Sequence, residues 1–537
     1  MIIFLHSHSI IYNPKLFVLK IQKKLSNYQP QSVRRKYIEK ENGKLRPLGI
    51  PTITDRIIQQ CIKQVMEPIC ESKFYNHSYG FRPNRSTHHA ISRVMTLVQK
   101  ANLHYVVDID IKGFFDNVNH GKLLKQIWNI GIQDKQILAI ISKLLKSEIQ
   151  GEGIPIKGTP QGGILSPLLS NIVLNELDWW ISNQWETFKS DFPYRENHNK
   201  YAALKKTNLK EMYIVRYADD FKILCRDSKT AFKIYNAVKK WLLDRLGLEI
   251  SPEKSKVTNL RKNYTEFLGI KIKAVPKGKK IVCQSHMTDK SIMKVSKKLR
   301  EYTVIMQKSP TVKSVQRYNA VVLGCQNYYK IATNVNLDFT KIYFLVRRTL
   351  YNRLKNISKP IGAKSKAYYK FYGNYNMNTP AINGIQTFPV EGVSHWSPLN
   401  FSQNICNYTK IGRDKIHNNL QGVNNKIIEY LLNTPVMGQT VEYNDNRLSL
   451  YIGQKGKCEI TDEALIIGDM ETHHKTPKEL GGKDDYKNLC MIKLNVHKLI
   501  HATKSETIEK YVKKLNLNER AMKKLNKFRV LVGNTII

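Results

Sequence analysis

A chain of 537 residues with 87 Lys and Arg against 43 Asp and Glu, a formal charge of +44, exceeds one hydrophobic core and calls for a polyanionic partner, a phosphate backbone first. Ordinary apolar content excludes a disordered chain. Eight cysteines, scattered at 61, 70, 225, 283, 325, 406, 458 and 490 with no C-x-x-C pair, exclude a disulfide scaffold and a four-cysteine zinc site.

The first stretch, MIIFLHSHSIIYNPKLFVLK, has its first basic residue at Lys15, and the first arginine of the chain is Arg34. It resembles neither a signal peptide nor an Arg-rich import sequence, and no run in the chain reaches the roughly 20 apolar residues of a membrane span. Residues from about 34 to 272 alternate strand-like apolar runs with helical stretches, the pattern of an α+β domain. In HYVVDIDIKGFFDNVNH a strand puts Asp108 and Asp110 on one face, because side chains alternate. Phe114 and Phe115 directly after it favour a shaped pocket over an exposed strand face. GTPQGGILSPLLSNIVLNELD gives a glycine turn whose backbone can approach a ligand, then a helix expected to be capped by Ser166 with Pro167 at its first position.

MYIVRYADDFKILC reads as a β-hairpin with YADD at its turn, from which Asp219 and Asp220 project. Adjacent acids at a hairpin tip repel unless a cation shares them, so Mg²⁺ is the natural complement. Two-metal phosphoryl transfer needs carboxylates from separate strands around ions about 3.5–4 Å apart. Asp110 with Asp219 would supply them.

From about 285 to 360 the pattern is basic and helical, and residues 361 to 445 are rich in Asn, Tyr, Gly and Pro. A small module follows from about 446 to 505, then a Lys-rich helical tail. In the module, His497 and His501 are four apart, so on a helix they share one face and can bind one metal. METHHKTP reads as a strand before the turn-rich loop GGKDDYKN.

These blocks, with RRKYIEKENGKLRPLGIPTITDRIIQQ and ESKFYNHSYGFRPNRSTHHAI upstream and GLEISPEKSKV and FLGI downstream, resemble in order the reverse transcriptase of group II intron-encoded proteins over about residues 33 to 272. GCQNYYKIA, at Gly324 to Ala332, resembles the family's maturase (X) or thumb region, where rings interleaved with cations suit RNA. The histidine module resembles the HNH (ββα-metal) nuclease fold through H-H-x-x-P, a glycine loop, Asn-Leu and H-x-x-x-H.

The resemblance implies a multidomain chain. Its expected parts are a shortened N-terminal segment (1–33), α+β right-hand polymerase fingers and palm (34–275), an α-helical thumb/maturase domain (276–360), a linker or DNA-binding region (361–445), a small ββα-metal HNH domain (446–505) and a basic helical tail (506–537). By position, Asp110, Asp219 and Asp220 would be the metal-binding triad for two Mg²⁺ ions, and Phe115 the ring that excludes a ribonucleotide 2′-OH. Gln161 and Gly162 would line the nucleotide and template pocket, and Lys44 and Arg46 would face the triphosphate. Glu39 stands where the family usually has proline.

In the HNH module, His474 would be the general base and Asn488 would orient its imidazole. His473, His497 and His501 would hold one divalent ion. Related modules often carry two C-x-x-C pairs, but Thr461, Lys493 and Val496 occupy ligand positions here, so the structural zinc is expected to be absent. Packing by Leu465, Ile466, Leu489, Ile492 and Leu494 is expected to replace it.

The implied activity is intron RNA binding and splicing assistance, cleavage of a DNA target strand, and copying of the RNA from deoxynucleoside triphosphates. The competing expectations are a splicing factor with decayed catalysis, and a DNA endonuclease whose polymerase part only binds. High usage of Ile, Lys, Asn and Tyr suggests an AT-rich genome. The expected place of synthesis is an organelle, a chloroplast before a mitochondrion, with a bacterial cytoplasm as the alternative.

Overall fold

The computed structural model describes residues 14–39, 43, 45–409, 411–412, 415–416 and 423–537. It divides into two compact units, Met1–Phe401 and Ser402–Ile537. Lys44 lies outside the described residues.

The larger unit begins with α1 (Pro14–Ser26) and the antiparallel hairpin β1 (Arg34–Glu39) and β2 (Leu45–Ile50). Helix α2 (Ile53–Lys73) is capped by the Thr52 hydroxyl and buries Ile58, Ile62, Met66 and Cys70, spaced four apart and hence on one face. Next come α3 (Thr87–Gln99), β3 (Tyr105–Ile109), α4 (Phe114–Asn117), α5 (His120–Asn129), α6 (Lys135–Leu145), α7 (Ser166–Ser182) and α8 (Asn197–Leu204). The hairpin β4 (Met212–Tyr217) and β5 (Asp220–Cys225), helix α9 (Ser228–Trp241) and β6 (Lys256–Asn259) complete this region.

Its sheet runs β4-β5-β3-β6, antiparallel throughout. One face, with Val107, Ile109, Phe221 and Ile223, packs into the core shared with Ile172 and Leu177 of α7 and Ile234 and Val238 of α9. The alternate row contains Asp108 on β3 and Lys222 on β5, which are register partners.

The chain continues through the three-stranded sheet β7 (Thr265–Phe267), β8 (Ile270–Lys277) and β9 (Lys280–Met287) into α10 (Asp289–Lys308), α11 (Val312–Tyr329) and α12 (Val335–Leu354). The boundary expected between 275 and 276 falls inside β8, so the helical region starts after its hairpin. The expected linker also differs. Strands β10 (Ser358–Lys359), β11 (Ala381–Ile382) and β12 (Ile385–Gln386) form a small sheet, with α13 (Lys366–Tyr372) between the first two. Gln326 of α11 donates to the carbonyls of Pro389 and Val390 at 2.8 and 3.0 Å, which ties this segment to the larger unit.

The smaller unit holds the hairpin β13 (Glu471–His474) and β14 (Leu489–Ile492), followed by the Leu494–His501 helix. Its core extends beyond 446–505. Ile427, Leu431 and Tyr443 join it from before, and Ala521 and Leu525 from the Glu519–Leu531 helix of the expected tail. Arg529, 1% exposed, donates to the carbonyls of Leu499 and Thr535 and so fastens that helix to the module.

Candidate functional site

The YADD turn is fixed from below. Ala218 adopts φ +58 at the first turn position, and Tyr217 pairs with Asp220 across it, a two-residue hairpin. Arg216, 1% exposed, meets Asp178 through Nη2 at 2.6 Å and Nε at 2.8 Å, and donates through Nη1 to the Ala218 carbonyl at 2.8 Å. A fully buried, bidentate ion pair therefore grips the backbone of the turn itself. Gly80 lies against Ala218 so closely that any Cβ there would collide with the turn's backbone.

Asp110 follows the last residue of β3. The Ser251 amide donates to its carbonyl at 2.7 Å, and the Ser255 hydroxyl accepts from its amide at 3.1 Å. Asp110 and Asp219 line one cavity of about 1200 Å³ together with Arg46, Phe115, Gln161, Gly162 and Ser166. The structure thus brings together the sequence-expected residues that it describes at this site, except Asp220, which opens with Asp110 on a neighbouring cavity beside α10 and α11. Burial first, then the nearby Asp110, pushes the Asp219 carboxyl up; burial also pushes Asp220 up, and Lys222 pulls it back. Facing acceptor-only carboxylates of this kind fit a hard cation such as Mg²⁺.

Gly162 at φ +128 lies against β2, where a Cβ would come 2.6 Å from the Gly49 carbonyl oxygen, so only glycine fits this turn. Ser166 is not the cap: α7 starts at Ser166, its N-cap Leu165 makes no side-chain cap bond, and the Ser166 hydroxyl donates to the Pro160 carbonyl at 2.7 Å. Gln59 instead takes the amide of Ile164 at 2.7 Å. The hydroxyl closes the glycine turn rather than the helix.

Sequence reasoning missed two cations around the triad. Lys254 meets Asp110 at 3.2 Å, and Lys222 meets Asp108 at 2.8 Å and Asp220 at 3.6 Å. A lysine inside the apolar run DFKILC, opposite Asp108 in an antiparallel register, was the available signal.

In the smaller unit, ligand-capable atoms of His473, His497 and His501 all lie within 4.8 Å of one another. The buried Nε2 of His473 has no hydrogen-bond partner. Burial first, then the neighbouring imidazoles, lowers His473 to about 3, which keeps it neutral. The His497 Nδ1 sits 2.8 Å from Glu471 Oε2, which leaves Nε2 for a metal. An orphaned buried nitrogen among imidazoles fits a divalent ion.

His474 has other neighbours. Its ring stacks on Tyr443 at 5.5 Å, and its Nε2 lies 2.7 Å from Asp484 Oδ1. Asp484 also accepts from Thr440 at 2.7 Å. Burial opposes ionisation of this carboxyl, but hydrogen bonds from His474, Thr440 and Lys478 hold it at about 2.

Asn488 does not orient His474. Its amide donates to the carbonyls of Thr476 and Lys483 at 3.0 and 2.9 Å and accepts from the Thr476 amide at 2.9 Å. Both its donors and its acceptor are thereby committed to closing the loop, and Asp484 takes the imidazole.

Where related modules often carry cysteine pairs, Lys493 pairs with Glu463 at 2.7 Å and Asp469 at 3.5 Å, while Cys458 and Cys490 are buried. Leu465, Leu489 and Ile492 pack there as expected, but Ile466 is 56% exposed and Leu494 only half-buried.

The family model described as "Reverse transcriptase (RNA-dependent DNA polymerase)" matches residues 38–272. Protein YkfC of Escherichia coli (strain K12) is 35% identical over 269 residues, covering 48% of this chain and 70% of YkfC. Group II intron-encoded protein LtrA of Lactococcus lactis subsp. cremoris is 32% identical over 415 residues, covering 64% of this chain and 67% of LtrA. A solved structure of apo telomerase from Candida tropicalis overlays 61% of this chain and 59% of that one with a TM-score of 0.38 at 14% identity, too loosely to add to these matches. On the sequence kinship, the chain belongs to the group II intron-encoded proteins, with a reverse transcriptase fold in its larger unit.

Proposed function

We propose that this protein copies intron RNA into DNA, assists splicing of that RNA, and cuts a DNA strand with its smaller unit. The observation that carries the first activity is the meeting of Asp110 and Asp219, from the ends of separate strands, in the cavity that Phe115, Gln161, Gly162 and Arg46 also line. Asp110, Asp219 and Asp220 would hold two Mg²⁺ ions, which when bound polarise a primer 3′-hydroxyl and take up charge on departing pyrophosphate. Arg46 would meet the triphosphate, Phe115 would exclude a 2′-hydroxyl, and the Gln161–Gly162 backbone would bound the nucleotide. Lys44 would join Arg46 in this role.

Lys298, Arg317, Tyr302, Tyr328 and Tyr329 line the neighbouring cavity of about 1290 Å³. Cations and rings side by side support nucleic-acid binding there, since guanidinium and ammonium groups meet phosphate and rings stack on bases. This supports the thumb and maturase role.

In the smaller unit, His473, His497 and His501 would hold the divalent ion that faces the scissile phosphate. His474 would take a proton from water, with Asp484 fixing its ring through Nε2. Nicking of supercoiled plasmid DNA by the full chain tests this: His474→Ala should abolish it, and nicking that survives the substitution would remove His474 as the base. Relatives include a bacterial intron protein and a maturase named as mitochondrial, so synthesis in an organelle or a bacterium is the broader reading and a chloroplast the narrower one.

A further inference from the structure

The two aspartates of the YADD turn sit in different electrostatic surroundings. Asp219 faces Asp110 across the nucleotide-side cavity and has no ion-pair partner among the described residues. Asp220 has one: Lys222 Nζ lies 3.6 Å from its Oδ1. That lysine is itself held. Its Nζ is 2.8 Å from Asp108 Oδ1, and it lies over the Phe267 ring at 5.5 Å. Asp108 is in turn fixed by the hydroxyls of Thr265 at 2.9 Å and Thr258 at 3.3 Å. Asp108 is 4% exposed and Lys222 7%. By contrast the cation at Asp110, Lys254, has a side chain 67% exposed and is free to leave.

A buried ion pair of this kind is seldom the most stable filling for its space, since an apolar pair of equal volume does as well. Stability alone therefore gives little reason for an ammonium group shared between Asp108 and Asp220. We infer that Lys222, locked by Asp108, is a positioning residue that acts as the resident counter-ion of Asp220 and weakens its share in the two-ion site it would form with Asp110 and Asp219. The inference rests on the polymerase reading above. It makes the two adjacent aspartates unequal: Asp219 would meet the ions unopposed, and Asp220 only against the pull of Lys222.

The test uses the full chain with an RNA template and DNA primer, titrated with MgCl₂. A second readout follows Mn²⁺ binding by electron paramagnetic resonance, with the signal lost in Asp110→Asn assigned to this site. Asp108→Asn, nearly isosteric, frees Lys222 to turn wholly to Asp220, and the half-saturating Mg²⁺ and Mn²⁺ should rise roughly threefold. Asp108→Leu combined with Lys222→Leu removes the pair without an orphaned charge, releases Asp220 to the metal, and should lower both by roughly threefold. Opposed shifts in two folded variants are an outcome that a merely structural pair would not produce. Unchanged metal dependence in both, or a loss of activity equal at every Mg²⁺ concentration, would overturn the inference. A wild-type chain that binds Mn²⁺ at Asp110 but extends no primer would instead count against the polymerase reading, and the Mn²⁺ shifts would still decide the role of Lys222.

Discussion

The carboxylate site and the histidine cluster both gather side chains able to bind a divalent ion, but they are held together by opposite means. In the larger unit the ligands are like charges, and the protein surrounds them with cations: Arg216 beneath the turn, Lys222 beside Asp220 and Lys254 on Asp110. In the smaller unit His473 is buried and neutral, so no counter-ion is required, and Glu471 serves to orient His497. A site assembled from repelling groups needs a rigid base and resident charge. A site assembled from imidazoles needs only packing and a hydrogen bond to set each ring.

This contrast predicts where each site breaks. The largest effect should come from Arg216→Met, which leaves Asp178 buried without its partner and lets go of the Ala218 carbonyl. Denaturant unfolding followed on the larger unit should show a loss of about 3–5 kcal/mol, and primer extension should vanish while plasmid nicking persists.

Glu186→Gln should cost about 3 kcal/mol by the same mechanism, because the Glu186 carboxylate lies 2.8 Å from Arg93 and accepts from the Tyr75 hydroxyl at 2.5 Å. Burial alone would raise this carboxyl, yet His77, Arg93 and Tyr75 hold it at about 2. A depressed carboxyl stabilises the fold above its unfolded value of about 4.3, and that stability drains away as pH falls toward the folded value. The wild-type larger unit should therefore lose stability between about pH 4.3 and 2, and Glu186→Gln should flatten that acid limb in a melting series.

On the other side of the comparison, His473→Ala should remove the bound divalent ion, measured by elemental analysis, and reduce nicking by roughly 100-fold without touching extension. Asp484→Asn should do less. It keeps the ion but lets the His474 ring turn, so nicking should fall roughly 10-fold at unchanged metal content. Equal metal loss in both variants would place Asp484 in the ion's own shell instead.

The sequence made the chemistry of both sites legible because it is carried by local patterns. A two-residue turn between apolar runs predicts the hairpin that bears Asp219 and Asp220, and two histidines four apart predict one helical face. What escaped was direction across space. Asn488 and Asp484 lie four residues apart in one loop, and nothing in their order says which side chain turns to His474 and which to the backbone. Ser166 before Pro167 reads as a cap, but the glycine turn folds back so that the hydroxyl reaches Pro160 first. The helices after residue 505 read as a basic helical tail, and only the structure brings Ala521 and Leu525 into the core. Lys222 was in plain view, but its meaning depends on a register with Asp108 across more than 100 residues of chain.

Primer extension on an RNA template with Mg²⁺ and deoxynucleoside triphosphates, comparing the wild-type chain with Asp219→Ala, tests the central claim most directly. The account predicts extension by the wild type and none by the variant, with plasmid nicking intact in both. A wild-type chain that binds the template but adds no nucleotide, or an Asp219→Ala chain that extends as well as the wild type, would contradict it.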